Sequence, residues 1–213
     1  MSPKRTLTTD LKIPPGPLEQ AGLAIVFLGV TAWSAIDPVD RFTWWLEAVP
    51  AIIIFLILAG TRTVFPLTRI TTWAIWALIL MMVIGAHYTY SGVPLFDWLR
   101  DELGLSRNHY DRVSHFLQGV TISLFARETA RRTIGVRRSV PLYLLIVLAT
   151  LGVSAACELT EWLAAELFGD GAREFLGMQG DIWDAQKDMG LALLGATTTI
   201  ALFRRVQDRQ IDG

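Results

Sequence analysis

The chain has 213 residues, 52% of them hydrophobic and 18% charged, and a formal net charge of −1; its mean hydropathy is +0.41. That balance is too apolar for an ordinary water-soluble domain, and it lacks the basic excess that a nucleic-acid partner requires. It points to a membrane protein, in which each helix crossing a hydrocarbon core of about 30 Å takes roughly 20 mainly apolar residues.

Residues 1–19 are basic but interrupted by Pro14, Pro15 and Pro17. They lack the apolar core of a cleavable signal peptide and read as a cytoplasmic tail. Residues 20–36 are free of charge and read as an uncleaved anchor helix; residues 42–61 are broken only by Glu47, for which the sequence offers no helical partner. Residues 70–96 and 139–157 contain no Asp, Glu, Lys or Arg and are the clearest spans. Two further apolar runs, 113–126 and 189–203, are short. To cross a bilayer they must draw in Asp111 and His115 in one case, and Asp184 and Asp188 in the other. Residues 206–213 read as a second cytoplasmic tail.

The expected architecture is therefore all-α: one polytopic domain, residues 20–205, of about six transmembrane helices with both termini cytoplasmic. This orientation leaves only Arg41, Arg100, Arg107, Arg112, Arg173 and Lys187 outside and puts the other 13 of the 19 basic residues inside (19 − 6 = 13), as the positive-inside rule favours. Arg127, Arg131, Arg132, Arg137 and Arg138 fix topology in this reading, with anionic lipid as their alternative partner. Trp44, Trp45, Trp73, Trp76, Trp98, Trp162 and Trp183 lie mostly near helix ends and read as interfacial anchors. Cys157 is the only cysteine, which leaves no intramolecular disulfide or thiolate cage.

The ionisable residues inside the spans gather at the expected outer leaflet. Asp111, His115 and Gln118 are spaced i, i+4 and i+7; Asp181, Asp184 and Asp188 are spaced i, i+3 and i+7; Glu158 and Glu161 are i and i+3. Each set shares one helix face. An ionisable side chain near the bilayer centre costs about 2.5–3.5 kcal/mol on insertion scales, so such faces turn toward the bundle interior. Acids near helix ends can also sit in the hydrated interface and pair with Arg107, Arg112, Arg173 or Lys187. Carboxylates held close together repel unless a cation or shared protons compensate.

Three functions fit that pattern. The first is a divalent metal centre, with His87, Asp111, His115, Glu158, Asp181 and Asp184 as candidate ligands. Zinc, manganese or iron would suit imidazole with carboxylate, and magnesium would suit carboxylate alone. A coordinated water would act on a lipid or cell-envelope substrate, with Glu158, Asp184 or Asp188 as general base. No H-E-x-x-H motif is present to mark such a site. The second is an ion or proton site in a transporter, against which stands the absence of an internal repeat. The third is a noncatalytic binding or assembly protein, for which Gly190, Ala192, Gly195 and Ala196 would permit close helix approach. Membrane lipids are partners in every case.

The stretches AHYTYSGVPLFDW, RNHYDRVSHFLQG, CELTEW and QGDIWDAQKDMGLALLGA, within residues 85–196, resemble the YjdF-like family of bacterial inner-membrane proteins. The resemblance implies an integral inner-membrane protein and names no reaction. A more distant similarity is to the VanZ-like family, matched by Asp111, His115 and Phe116, by Glu158, and by Asp181 with Asp184. The chain departs from that pattern at Asp188, where Asn is usual, and at Glu161, where an amide is common. Both departures add negative charge and favour a bound cation.

Overall fold

Local sequence signals set several of the helix boundaries. Pro17 opens α1 (Pro17–Ser34), where a missing backbone donor costs nothing. Asp40 caps α2 (Arg41–Thr61), its carboxylate accepting the Thr43 N–H at 2.6 Å. The third helix, α3 (Arg69–Tyr88), ends at Thr89 with φ +60°. A 3-10 turn (Tyr90–Gly92) leads into a short α4 (Pro94–Leu103), which Gly104 terminates in the left-handed conformation. Ser139 caps the long α6 (Val140–Phe168). The remaining helices are α5 (Tyr110–Thr129), prolonged by a π-helical turn (Ala130–Ile134), α7 (Arg173–Leu176), α8 (Asp184–Leu202) and α9 (Arg204–Asp212). This computed structural model describes residues 14–136, 138–169 and 173–212. Lys4, Arg5, Lys12 and Arg137 of the charge-topology reading lie outside the described residues.

The described residues contain helices and no strand. By length and composition α2, α3 and α6 can each cross a membrane, and α8 with α9 qualifies as a pair bent by 63°. The two runs that look short in sequence belong to helices long enough to span: α5 has 20 residues and α8 has 19, which is about 30 Å at 1.5 Å per residue. They reach that length by including Asp111, His115, Asp184 and Asp188. Three boundaries differ from expectation. The apolar run 70–96 ends as a helix at Tyr88, because the chain turns there and runs on into α4. Glu158 and Glu161 lie inside α6, not at its end. Asp181 precedes α8, so it does not share a helix face with Asp184 and Asp188.

Packing divides the bundle into two parts. An apolar core built on Phe27, Ala51, Ile75, Trp76, Ile79 and Val83 joins α1, α2 and α3. The other part is the parallel pair α5 and α8. Cβ atoms added at Gly119 and Gly195 would run into the backbone carbonyls of Ala192 and Phe116 respectively, so these positions bring the two backbones together. Ala192 and Ala196 are fully buried at this crossing. Gly190 has open space around it and takes no part.

Three expectations about surface residues change. Trp44 and Trp76 are 4% exposed; Trp44 donates its indole N–H to Ser34 Oγ at 2.9 Å, and both are core residues, not interfacial anchors. Trp45, Trp73, Trp98, Trp162 and Trp183 are exposed as expected. Arg127 is 2% exposed and donates to Gln207 Oε1 at 2.7 Å and to Asp208, while Arg131 also reaches Asp208. Residues 206–212, expected in the tail, all belong to α9, which buried charge folds against α5.

Candidate functional site: an acid and histidine ring above an amphipathic cavity

The site forms where α5, α6 and α8 bring ionisable groups to one level. The close α5–α8 approach at Gly119 and Gly195 sets the spacing of Asp111 and His115 against Asp184 and Asp188. Antiparallel α6 supplies Glu158 and Glu161. His115 Nε2 lies 3.4 Å from Asp111 Oδ1 and 3.4 Å from Glu158 Oε1. Two groups have the spacing of a metal site, with one ligand atom from each residue and all within 4.8 Å of one another: Asp111, His115 and Asp188, and His115, Glu158 and Glu161.

Two loops pin the ring. Arg107, 5% exposed, pairs with Asp184 and donates to the Gly177 carbonyl at 3.1 Å. Its neighbour Asn108 is fully buried, accepts the Tyr110 N–H on its side chain, and exchanges two hydrogen bonds with the Gln179 side chain at 2.9 Å. Arg112 bridges Asp181 at 2.6 Å and Asp184 at 3.2 Å, and Lys187 closes on Asp181 at 2.6 Å. The Lys187 ammonium, reinforced by the Trp183 N–H, holds the Asp181 carboxyl below the usual carboxylate range. Partial burial, with the Arg112 and Arg107 guanidiniums nearby, lowers His109 below its ordinary value.

Charge bookkeeping then separates the acids into two kinds. Asp181 and Asp184 are matched by Arg107, Arg112 and Lys187. Among the described residues, Asp188, Glu158, Glu161 and Glu47 have no basic partner besides His115, and Asp111 has His115 at 3.4 Å and Arg107 at 3.8 Å. Several buried atoms here have no hydrogen-bond partner among the described residues: His115 Nδ1, Glu158 Oε1, Asp188 Oδ1, Gln118 Oε1 and Glu47 Oε2. Such orphans are rare in folded proteins, since each forfeits about 1–3 kcal/mol of solvation.

Beside the ring lies a cavity of about 430 Å³, a volume within the usual range of small-molecule sites. Asp111, His115, Gln118, Glu47 and Glu161 line one end; Ile54, Leu78, Ile122 and Val153 line the other. Pro50, also in the wall, is an internal helix proline and leaves one carbonyl of the preceding turn of α2 without its donor.

The ring thus unites Asp111, His115, Glu158 and Asp188, with Asp184 and Asp181 beside them in arginine-held positions. His87 is not brought in: its Nδ1 lies 3.1 Å from the Ser34 carbonyl oxygen and its ring packs 4.3 Å from Trp33, so it ties α3 to α1. Glu47 is the residue whose role sequence reasoning did not find. It is 6% exposed and faces the same cavity; the signal was present as the single charge in an apolar span. Arg107, Arg112 and Lys187 pair with acids as the charge pattern allows; the Arg173 side chain lies outside the described residues.

Comparison with known proteins agrees with this architecture. The family described as "Predicted membrane protein (DUF2238)" matches residues 19–209. The chain belongs to that family. It is also 40% identical over 189 residues to the "Inner membrane protein YjdF" of Escherichia coli (strain K12), covering 89% of this chain and 88% of that protein. No solved structure matches it significantly. The YjdF-like resemblance read from the four motifs is thereby shown, and the chain is an all-α, multi-pass protein of the inner membrane.

Proposed function

We propose that this member of the family is a divalent-cation-dependent enzyme acting on a lipid or other envelope amphiphile at an outward-facing ring of carboxylates around His115. The observation that carries the reading is the set of buried, unpartnered atoms on His115, Glu158 and Asp188, in two groups of metal-ligand spacing, beside a cavity of ligand size. A cation in either group would offset the repulsion among the crowded carboxylates and give one of the unpartnered carboxylate oxygens a partner. Imidazole with carboxylates suits zinc, manganese or iron.

The residues divide the work. His115 with Asp111 and Asp188 supplies one ligand set; Glu158 and Glu161 flank it. Asp184 is held by Arg107 and Arg112, so it orients the arginines and tightens the α5–α8 crossing. A cation held there would supply activation of water; Glu158, beside His115, would take the proton from that water and return it to the alcohol oxygen released as an ester of the head group is cleaved.

Elemental analysis of the detergent-purified protein tests this reading, with wild type measured beside His115→Ala and Asp188→Asn. Near-stoichiometric zinc, manganese or iron in the wild type, lost in both variants, is the expected result. No retained metal after incubation with each ion in excess would overturn it.

A further inference from the structure

The cavity has a shape that the ring alone does not require. Ile122 lies seven residues beyond His115 on α5, Ile54 lies seven beyond Glu47 on α2, and Val153 lies eight before Glu161 on α6. At 1.5 Å per residue each apolar residue stands about 10 Å or more further into the bundle than its ionisable counterpart. The cavity is therefore a sleeve, ionisable at one end and apolar two helical turns deeper.

The sleeve is also open on one side. Helices α2 and α6 are not packed together along their lengths. They meet near the ring end, where Phe42 and Phe168 pack edge to face with ring centroids 4.9 Å apart, and α7 spans them there. Deeper in, Pro50 and Val153 line the cavity while remaining exposed, Val153 at 43%. In a membrane that exposure faces acyl chains.

We infer that the sleeve between α2 and α6 takes a single-chain amphiphile sideways from the bilayer, its chain along Ile54, Leu78, Ile122 and Val153 and its oxyanion head group on the cation at His115. The inference rests on the cation site proposed above and adds the ligand's single chain, its oxyanion head and its lateral entry. An oxyanion belongs there only with the cation present, because Glu47, Asp111, Glu158, Glu161 and Asp188 would otherwise repel it, and Arg107 and Arg112 are engaged by Asp181 and Asp184. Phosphate and carboxylate heads share this chemistry.

The full-length protein is loaded with Mn2+ in nanodiscs of a zwitterionic phospholipid and probed by pulsed electron–nuclear resonance. One arm uses dodecyl phosphate, read by its 31P coupling; the other uses carboxyl-13C dodecanoate. The head group that belongs to the site gives a strong coupling to Mn2+. Butyl phosphate or 13C-butanoate then needs a concentration about tenfold or more higher for the same signal, since the shorter chain leaves the sleeve unfilled. Val153→Trp, which occupies the side opening, keeps Mn2+ and loses the long-chain preference. Chain length in the wild type gives the same information if that variant does not fold.

Bound Mn2+ with no coupling from either long-chain head group overturns the amphiphile inference and leaves the cation site standing, as does equal binding of short and long chains. Failure to retain Mn2+, Zn2+ and Fe2+ alike overturns both. Displacement of Mn2+ by dodecylammonium leaves the cation site standing and overturns the oxyanion inference, since it makes the ring a receptor for a cationic head.

Discussion

Removing the Arg107 side chain isolates a buried charge, and the cost can be worked from its contacts. The Arg107 and Asp184 side chains are 4% and 7% exposed, so Arg107→Met leaves the Asp184 carboxylate out of water. Breaking such a pair by deleting one partner costs about 3–5 kcal/mol. Arg112 remains 3.2 Å from Asp184, which puts the expected loss near the lower end of that range, about 3 kcal/mol. Loss of the Gly177 hydrogen bond adds about 1 kcal/mol. Asp184→Leu alone leaves Arg107 without its main partner and should cost a similar amount. The double variant Arg107→Met, Asp184→Leu removes both charges and should recover a substantial part, giving a coupling energy of about 2–3 kcal/mol. Equilibrium unfolding in mixed micelles measures all four corners of this cycle. Additive losses, with coupling below about 0.5 kcal/mol, would refute the claim that these two side chains form one buried unit.

Three further perturbations probe separate parts of the architecture. Gly119→Ala should destabilise by about 1–3 kcal/mol because its Cβ meets the Ala192 backbone and the helices must part; Gly190→Ala, in open space, should be neutral or gain up to about 1 kcal/mol of helix propensity. Equal effects in thermal unfolding would contradict the crossing geometry. Arg127→Met should release α9, raising protease cleavage between Leu202 and Arg209, whereas Arg100→Met, whose partners Asp97 and Asp101 lie in α4, should not; identical digestion patterns would refute the latch. Asp181 has a folded-state pKa held down by Lys187 and the Trp183 N–H, so its contribution is present above the unfolded-state value of about 3.9 and is lost as pH falls below it. Asp181→Asn should lower stability at neutral pH, where the contribution is present, and flatten the acid limb of the stability curve below about pH 4; an unaltered acid limb would refute the pairing.

The fold class, the membrane location and the helices carrying the site were legible in the chain, because the bilayer imposes length and apolarity on each span independently of its neighbours. The stripe of Asp111 and His115 on α5, and Asp188 on α8, could be read for the same reason: spacing along one helix decides which side chains share a face. What sequence could not decide was which faces meet. His87 sits at a helix end as an apparent ligand, yet the turn after Tyr88 and the packing of α1 direct its ring to Ser34. Glu47 had no partner on its own helix; it joins the others because Pro50 and the separation of α2 from α6 leave a cavity there. Arg127 carried the signature of a topology-setting loop charge and became buried only when α9 folded back to supply Gln207 and Asp208. One-dimensional patterning fixes the solvent each residue tolerates, whereas partners more than about 40 residues apart are chosen by helix packing, here by the two glycines that bring α5 and α8 into contact.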